Sequence, residues 1–456
     1  MSATVAINGR ESSIVVIKGR FLQSAKRTDR KAFFLTDEAA GIPGLSERVS
    51  EVRLFAGDEN VGFRKITAGA FLAEKEIDSW SYSVDISDRG RRSGLAFVSA
   101  SDGTNAVLML DDLLPITGGK RSALVRLDIP RDRQALTVET RTADGQFDFA
   151  NVEKAVLLIG SEWLVKQGTK NTPTVAIRGK WHFSDNDLSS FAAEIVEYYS
   201  KMFGGAPTGE ILVAVSLMPP QNGFGSWEAD TRGRTVNIFM SDTAFATQSK
   251  QRLHEILRHE LFHLWLPNGV NFDGNYAWFY EGAAVYASLR AAVAMNRIRF
   301  DDMLDTLSRA YRIEMLASEP LSLVAMSGRS WSGNDSRMYA RGMITAFMID
   351  IEMLAASGGK RSFETLLREI YLKHRPNERS SPATESILSV FGSYPELKPL
   401  VSSTISGDQR VDWRQAIAKA GLVDANSRLT VSARLSGKQK ALLDDLGYNA
   451  WRKLIR

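Results

Sequence analysis

The sequence predicts a multidomain α+β protein, and three observations carry that prediction. Residues 1–151 hold short alternating apolar runs cut by Gly, Asp, Asn and Pro turns, the period of half-buried strands. Residues 248–422 instead repeat apolar side chains every three or four positions, the period of amphipathic helices. A chain of 456 residues with 44% hydrophobic content also exceeds what one core organises, so two or three domains are expected.

Each element follows from its own residues. Strand-like runs at 13–17, 49–55, 95–99, 106–110, 123–129 and 136–140 predict an N-terminal β-sandwich domain over residues 1–151. Residues 152–247 predict a lobe of strands at 155–159, 174–177, 210–217 and 235–240 around one helix. Ser184 and Asp187 form the capping box of that helix, Leu188, Phe191, Ile195, Tyr198, Tyr199 and Met202 its apolar stripe, and Gly204 its stop. Residues 248–422 predict a helical lobe, with helices at 278–295, 300–316, 339–354, 362–371 and 413–419. A C-terminal extension, 423–456, holds a short strand and a basic helix. No internal repeat or low-complexity tract is present.

Composition excludes several classes. The net charge of +4 comes from 57 basic and 53 acidic residues dispersed along the chain, so no nucleic-acid partner is expected. The basic stretches at 26–31 and 89–92 read as solvated loops. With 0 Cys there are no disulfides, no thiolate ligands and no cysteine catalysis. No apolar run approaches the ~20 residues of a membrane helix. Residues 1–10 lack the basic and apolar regions of an export signal. The expected compartment is periplasmic or secreted if a signal has been removed, and cytoplasmic otherwise; the oligomeric state is left open.

The chemistry concentrates in residues 259–281. His259 and His263 stand at i and i+4, so on a helix both imidazoles turn to one metal ion. Glu260 sits one step round, where a carboxylate reaches a metal-activated water as general base without ligating the metal. Leu253, Ile256, Leu257, Leu261, Leu264 and Trp265 supply the apolar face, and Pro267 with Gly269 stops the run. Catalytic zinc takes three protein ligands plus water. Glu281 is the candidate third, because a carboxylate set among apolar and small residues needs a cation; the alternative is a carboxylate that favours the helix dipole. An N and O donor set of this kind points to one Zn2+ ion.

These residues resemble a known family. The runs His259-Glu260-Leu261-Phe262-His263-Leu264-Trp265, Trp278-Phe279-Tyr280-Glu281-Gly282-Ala283-Ala284-Val285-Tyr286 and Met338-Tyr339-Ala340-Arg341-Gly342 are similar to the glycyl aminopeptidase family of gluzincin zinc metallopeptidases. So are Gly179 through Ser184, Phe203-Gly204-Gly205, and Asp412-Trp413 with Ala420-Gly421-Leu422, so the resemblance covers roughly residues 110–422. It implies a thermolysin-like catalytic domain over 152–422, a sheet lobe followed by a helical lobe with the site in a cleft between them, and a peptide substrate. It also implies that Tyr339 stabilises the oxyanion of the tetrahedral intermediate.

In related aminopeptidases a glutamate upstream of the metal helix reads the free amine of the substrate. Glu228 in Gly225-Ser226-Trp227-Glu228-Ala229 falls in that place, ahead of residues 235–240, which read as an edge strand that docks the substrate backbone. Trp227 and Ala229 depart from the family pattern, and a solvated loop glutamate is the other reading of Glu228. The loop Leu266-Pro267-Asn268-Gly269 lacks the basic residues of the family, so substrate preference is not inherited. A Ser, Gly and Asn-rich stretch at 327–335 leads into Tyr339 as either a substrate gate or a connector. Family members often carry a peptide-binding PDZ module after the catalytic part, for which this chain is too short. The expectation is a zinc peptidase, an aminopeptidase first. An endopeptidase of the same mechanism, a hydrolase of non-peptide amides or epoxides, and a non-catalytic peptide-binding protein with a vestigial metal site stand as alternatives.

Overall fold

A computed structural model describes residues 1–7, 13–22, 29–88, 93–169, 172–219, 222–317, 319–328, 335–376 and 378–450. The basic stretch 89–92 and part of 26–31 lie outside the described residues, as does most of the 327–335 segment. The chain divides into two compact units, one of Met1–Ser189 with Gly209–Ser249 and one of Ser190–Thr208 with Lys250–Arg456.

The first unit is built from sheets. Ser2–Ile7 buries Ala3, Val5 and Ile7 and leaves the residues between half-buried, a period-two pattern. It pairs parallel with Ala123–Asp128 and antiparallel with Ile14–Arg20, the central strand of a seven-stranded sheet. A three-stranded sheet of Ala32–Phe34, Ala70–Ala73 and Phe63–Thr67 adds Phe33 and Phe71 to the same core, around Trp80 and Tyr82.

A four-stranded sheet of Gln134–Leu136, Val156–Gly160, Ala106–Met109 and Ala100–Ser101 is apolar on both faces. Ala106, Leu108, Leu157 and Ile159 join the first core. Val107, Met109, Val156 and Leu158 join a second core with Ala176, Leu212, Ala214 and Phe239. Double burial explains the unbroken apolar reading of these strands.

The second core is shared with a five-stranded sheet in the order Leu164–Lys166, Thr174–Ile177, Leu212–Leu217, Thr235–Met240, Trp227–Arg232. Two expectations are corrected here. Thr235–Met240 is not an edge strand: all six residues are buried, with Leu212–Leu217 parallel on one side and Trp227–Arg232 antiparallel on the other, so the edge is Trp227–Arg232. Residues 95–99 are not a strand. Gly94 at φ +88° starts a turn closed by Phe97 N–H to the Gly94 carbonyl, and Leu95, Ala96 and Val98 are buried together rather than alternately.

The second unit is helical. Helix α1 (Asp185–Phe203) begins at the predicted capping box, with Asp187 N–H donating to Ser184 Oγ at 3.1 Å, and stops where Gly204 takes φ +77°. Helices α2 (Ala246–Phe262), α3 (Ala277–Ala294), α4 (Phe300–Leu316), α5 (Asp335–Ser357) and α6 (Phe363–Lys373) follow. The C-terminal residues form a hairpin of Leu422–Ala425 and Arg428–Val431, turned by Asn426 and Ser427 at positive φ, and a helix Gly437–Asp445. Among the described residues no helix is long and apolar enough to cross a membrane.

Candidate active site

Helix α2 carries His259 in its last turn, and His263 follows in the turn just past its end. Leu253, Ile256, Leu257, Leu261 and Phe262 are buried and hold the helix down. The helix stops at Phe262 rather than at Pro267, because the backbone tightens to three-residue turns: His263 N–H donates to the Glu260 carbonyl at 3.0 Å and Trp265 N–H to that of Phe262 at 3.0 Å. Trp265 fixes this turn. Its ring stacks on Phe203 at 5.3 Å and its Nε1–H donates to the Gly205 carbonyl at 2.8 Å, which accounts for the Phe-Gly-Gly run after α1.

His259, His263 and Glu281 come together. The two Nε2 atoms are 3.2 Å apart, and Glu281 Oε2 lies 3.4 Å from His259 Nε2 and 3.6 Å from His263 Nε2. Donors about 2.0–2.1 Å from one ion at tetrahedral angles stand roughly 3.3–3.4 Å from each other, so the triangle has the size such an ion requires. Glu281 Oε2 is buried and meets no partner in good hydrogen-bond geometry. His263 Nδ1 is 2.8 Å from the Leu266 carbonyl, which only accepts, so Nδ1 carries the proton and Nε2 is left as the ligand atom.

The electrostatics follow from that packing. Burial alone would lower the His263 pKa, but the facing Glu281 carboxylate, with Glu260 behind it, pushes it up to about 9. Burial would raise Glu281, yet His263 and His259 outweigh it and hold its carboxyl well below the usual range. Glu260 is itself buried, within electrostatic reach of both His263 and Tyr339.

Two helix neighbours complete the arrangement. Asn275 Oδ1 accepts Ala277 N–H at 3.0 Å and Ser327 Oγ accepts Trp278 N–H at 2.8 Å, so side chains cap the first turn of α3 just ahead of Glu281. Helix α5 brings Tyr339, whose ring centroid is 6.2 Å from that of His259. Burial and then the charges of Glu281 and Glu260 push the phenol far above its ordinary pKa, so it remains a hydrogen-bond donor. Helices α3 and α5 touch backbone to backbone: a Cβ built on Gly282 would lie 2.5 Å from Gly342 Cα, and one on Gly342 2.8 Å from Gly282 Cα. These glycines stand next to Glu281 and three residues past Tyr339.

Glu228 is placed in the first unit, on the edge strand. Its oxygens accept the Gly94 N–H at 2.9 Å and the Ala96 N–H at 3.4 Å. The other histidines are engaged elsewhere. His182 Nδ1 is 2.6 Å from Asp242, His254 Nδ1 2.5 Å from Arg258, and His374 Nδ1 3.3 Å from Ser381.

Sequence reasoning missed the caps Asn275 and Ser327, the Leu266 carbonyl and the buried charges behind α5. Of these only the last left a signal, since Arg337 and Arg341 repeat at i, i+4 on a largely apolar helix.

No family model matches the sequence, and no curated protein matches it. In three dimensions the chain is similar to a crystal structure of an aminopeptidase N family protein from Idiomarina loihiensis. The TM-score is 0.75 at 14% sequence identity, over 96% of this chain and 82% of that one. At that identity the likeness is one of fold: the mixed α+β, multidomain architecture is shared.

Proposed function

We propose that this protein is a zinc-dependent peptidase in which His259, His263 and Glu281 hold one zinc ion. The reading rests on the donor triangle, three ligand atoms 3.2 to 3.6 Å apart with an orphaned carboxylate oxygen among them. The aminopeptidase-like fold agrees with it, and residues 152–422 are read as a thermolysin-like catalytic domain preceded by the N-terminal sandwich. Two imidazoles and a carboxylate favour zinc among divalent ions. Zinc held there supplies Lewis acidity, polarising the substrate carbonyl and acidifying water.

The chain's own residues do the rest. Glu260 takes the proton of the attacking water and delivers it to the departing amine nitrogen, so the C–N bond breaks without expelling an amide anion. Tyr339, kept protonated by burial and its acidic neighbours, donates to the oxygen that gains charge as the carbonyl becomes tetrahedral. His263 keeps its ring orientation through the Leu266 carbonyl. The strand Trp227–Arg232 stands at the end of its sheet, the position where an extended peptide can add as a further strand.

Substrates with a free amine would be read by Glu228, which makes aminopeptidase action the first reading. The amides of Gly94 and Ala96 already occupy part of that carboxylate, and this favours endopeptidase action as the second. Zinc-loaded protein assayed on matched free and N-acetylated peptides separates them: cleavage of the free peptides alone marks an aminopeptidase, cleavage of both an endopeptidase. Glu260→Gln should keep one zinc per chain and lose about 10²–10⁴ in kcat. Cleavage of neither peptide by zinc-loaded wild type, or full turnover by Glu260→Gln, would overturn the proposal.

A further inference from the structure

Behind Tyr339 lies a set of buried charges with no part in the chemistry proposed above. Arg341 Nη1 donates to Glu314 Oε1 of α4 at 2.7 Å, and both side chains are 0% exposed. The second guanidinium nitrogen, Nη2, donates to the carbonyls of Thr404 at 2.9 Å and Gln409 at 2.8 Å. Arg337 Nε reaches the other oxygen of the same carboxylate at 3.1 Å. Taking such a cluster out of water carries a heavy desolvation penalty before pairing, so it is a poor device for stability alone.

Its place on the helix suggests another purpose. At 3.6 residues per turn, Arg337 and Arg341 each stand roughly 160° round α5 from Tyr339, while Gly342 stands about 60° away. The face next to Tyr339 is therefore pressed without a side chain against Gly282, and the opposite face is held by two guanidinium groups on one carboxylate. A helix gripped at front and back can neither roll nor withdraw.

We propose that Glu314, Arg337 and Arg341 are positioning residues that set the Tyr339 hydroxyl against Glu281, and so against the carbonyl oxygen of a substrate. The inference rests on the peptidase reading for its catalytic consequence, but its geometric content stands on the contacts alone. A planar guanidinium that bridges a carboxylate and two carbonyls is not replaced by the point charge of a lysine.

The test combines kinetics with a signal that needs neither zinc nor turnover. Tyr339→Phe should lower kcat by about 10²–10³. Arg341→Lys and Glu314→Gln should each lower it by about tenfold or more, since a misplacement near 1 Å costs up to 10². KM and zinc stoichiometry should stay close to wild type. In the Tyr339→Phe background the Arg341→Lys loss should vanish, because nothing is left to position. With 13C at the tyrosine Cζ, the resonance absent from Tyr339→Phe should move in Arg341→Lys and Glu314→Gln.

Arg337→Lys leaves the Arg341–Glu314 pair intact and serves if the other two fail to fold. Losses that multiply in the double variant, or a resonance that stays in place in a folded variant, overturn the proposal. A wild-type protein that cleaves no peptide removes the peptidase reading and leaves the resonance to decide the positioning claim.

Discussion

Gly282→Ala tests whether the glycine crossing sets the catalytic spacing. The added Cβ would lie 2.5 Å from Gly342 Cα and 2.6 Å from its carbonyl carbon. Carbon contacts settle near 3.5–4.0 Å, so α3 and α5 must separate by about 1 Å. Both obstacles are backbone, which cannot swing aside as a side-chain tip can. Overpacking of this kind costs about 1–3 kcal/mol. Alanine recovers about 1 kcal/mol of helix propensity, leaving a net loss of about 0–2 kcal/mol in urea unfolding. Activity should suffer more than stability, because the same 1 Å separates Tyr339 from Glu281 and such a displacement costs about 10² in kcat. The assay is kcat on a cleaved peptide at saturating zinc, with metal content measured on the same sample. A variant with wild-type kcat and wild-type stability would refute the claim that the bare crossing fixes the site.

Two other outcomes follow from the pKa shifts. The raised His263 pKa stabilises the metal-free fold below pH 6.5, and that contribution is lost as pH rises through about 9. A metal must displace the same proton, so binding at pH 7 should release about one proton and tighten roughly tenfold per pH unit up to about 9, read by calorimetry in buffers of different ionisation enthalpy; pH-independent affinity would contradict it. His254 is held neutral, its pKa pushed down to about 3 by burial and then by Arg258 and Arg297. Between pH 6.5 and 3 the unfolded chain binds a proton that the native one refuses, so native stability falls as pH falls, by up to about 1.4 kcal/mol per unit. His254→Gln should flatten that slope in urea titrations at pH 7 and pH 4, and an unchanged slope would remove the assignment.

Legibility from sequence followed the range of the interaction. Phe300–Leu316 begins and ends where its periodicity does, and α1 starts at Ser184 and Asp187, because stripes and caps act within a turn or two. His259 and His263 are spaced about one turn apart, which brings them together although His263 lies just past the end of α2, and the Glu281 segment lies close in sequence. What escaped depends on distant partners. Thr235–Met240 looks like an edge strand until Leu212–Leu217 and Trp227–Arg232 are placed on either side. Residues 95–99 carry strand-like composition, but Gly94 turns the chain there. The early stop of α2 at Phe262 follows from Trp265 packing on Phe203, which no local pattern encodes.

The four-stranded sheet with two apolar faces bears on how the molecule can be cut. Val156–Gly160 is the strand between Gln134–Leu136 and Ala106–Met109, so a fragment ending at residue 151 loses the middle of that layer. It would also bare Val107 and Met109 to water along an open ladder, the kind of edge that recruits other chains. An expression boundary placed at 151 therefore invites insoluble material; one just beyond residue 160 keeps the layer whole but still bares the face that Val107, Met109, Val156 and Leu158 pack against Ala176, Leu212, Ala214 and Phe239, so the cut belongs beyond Met240.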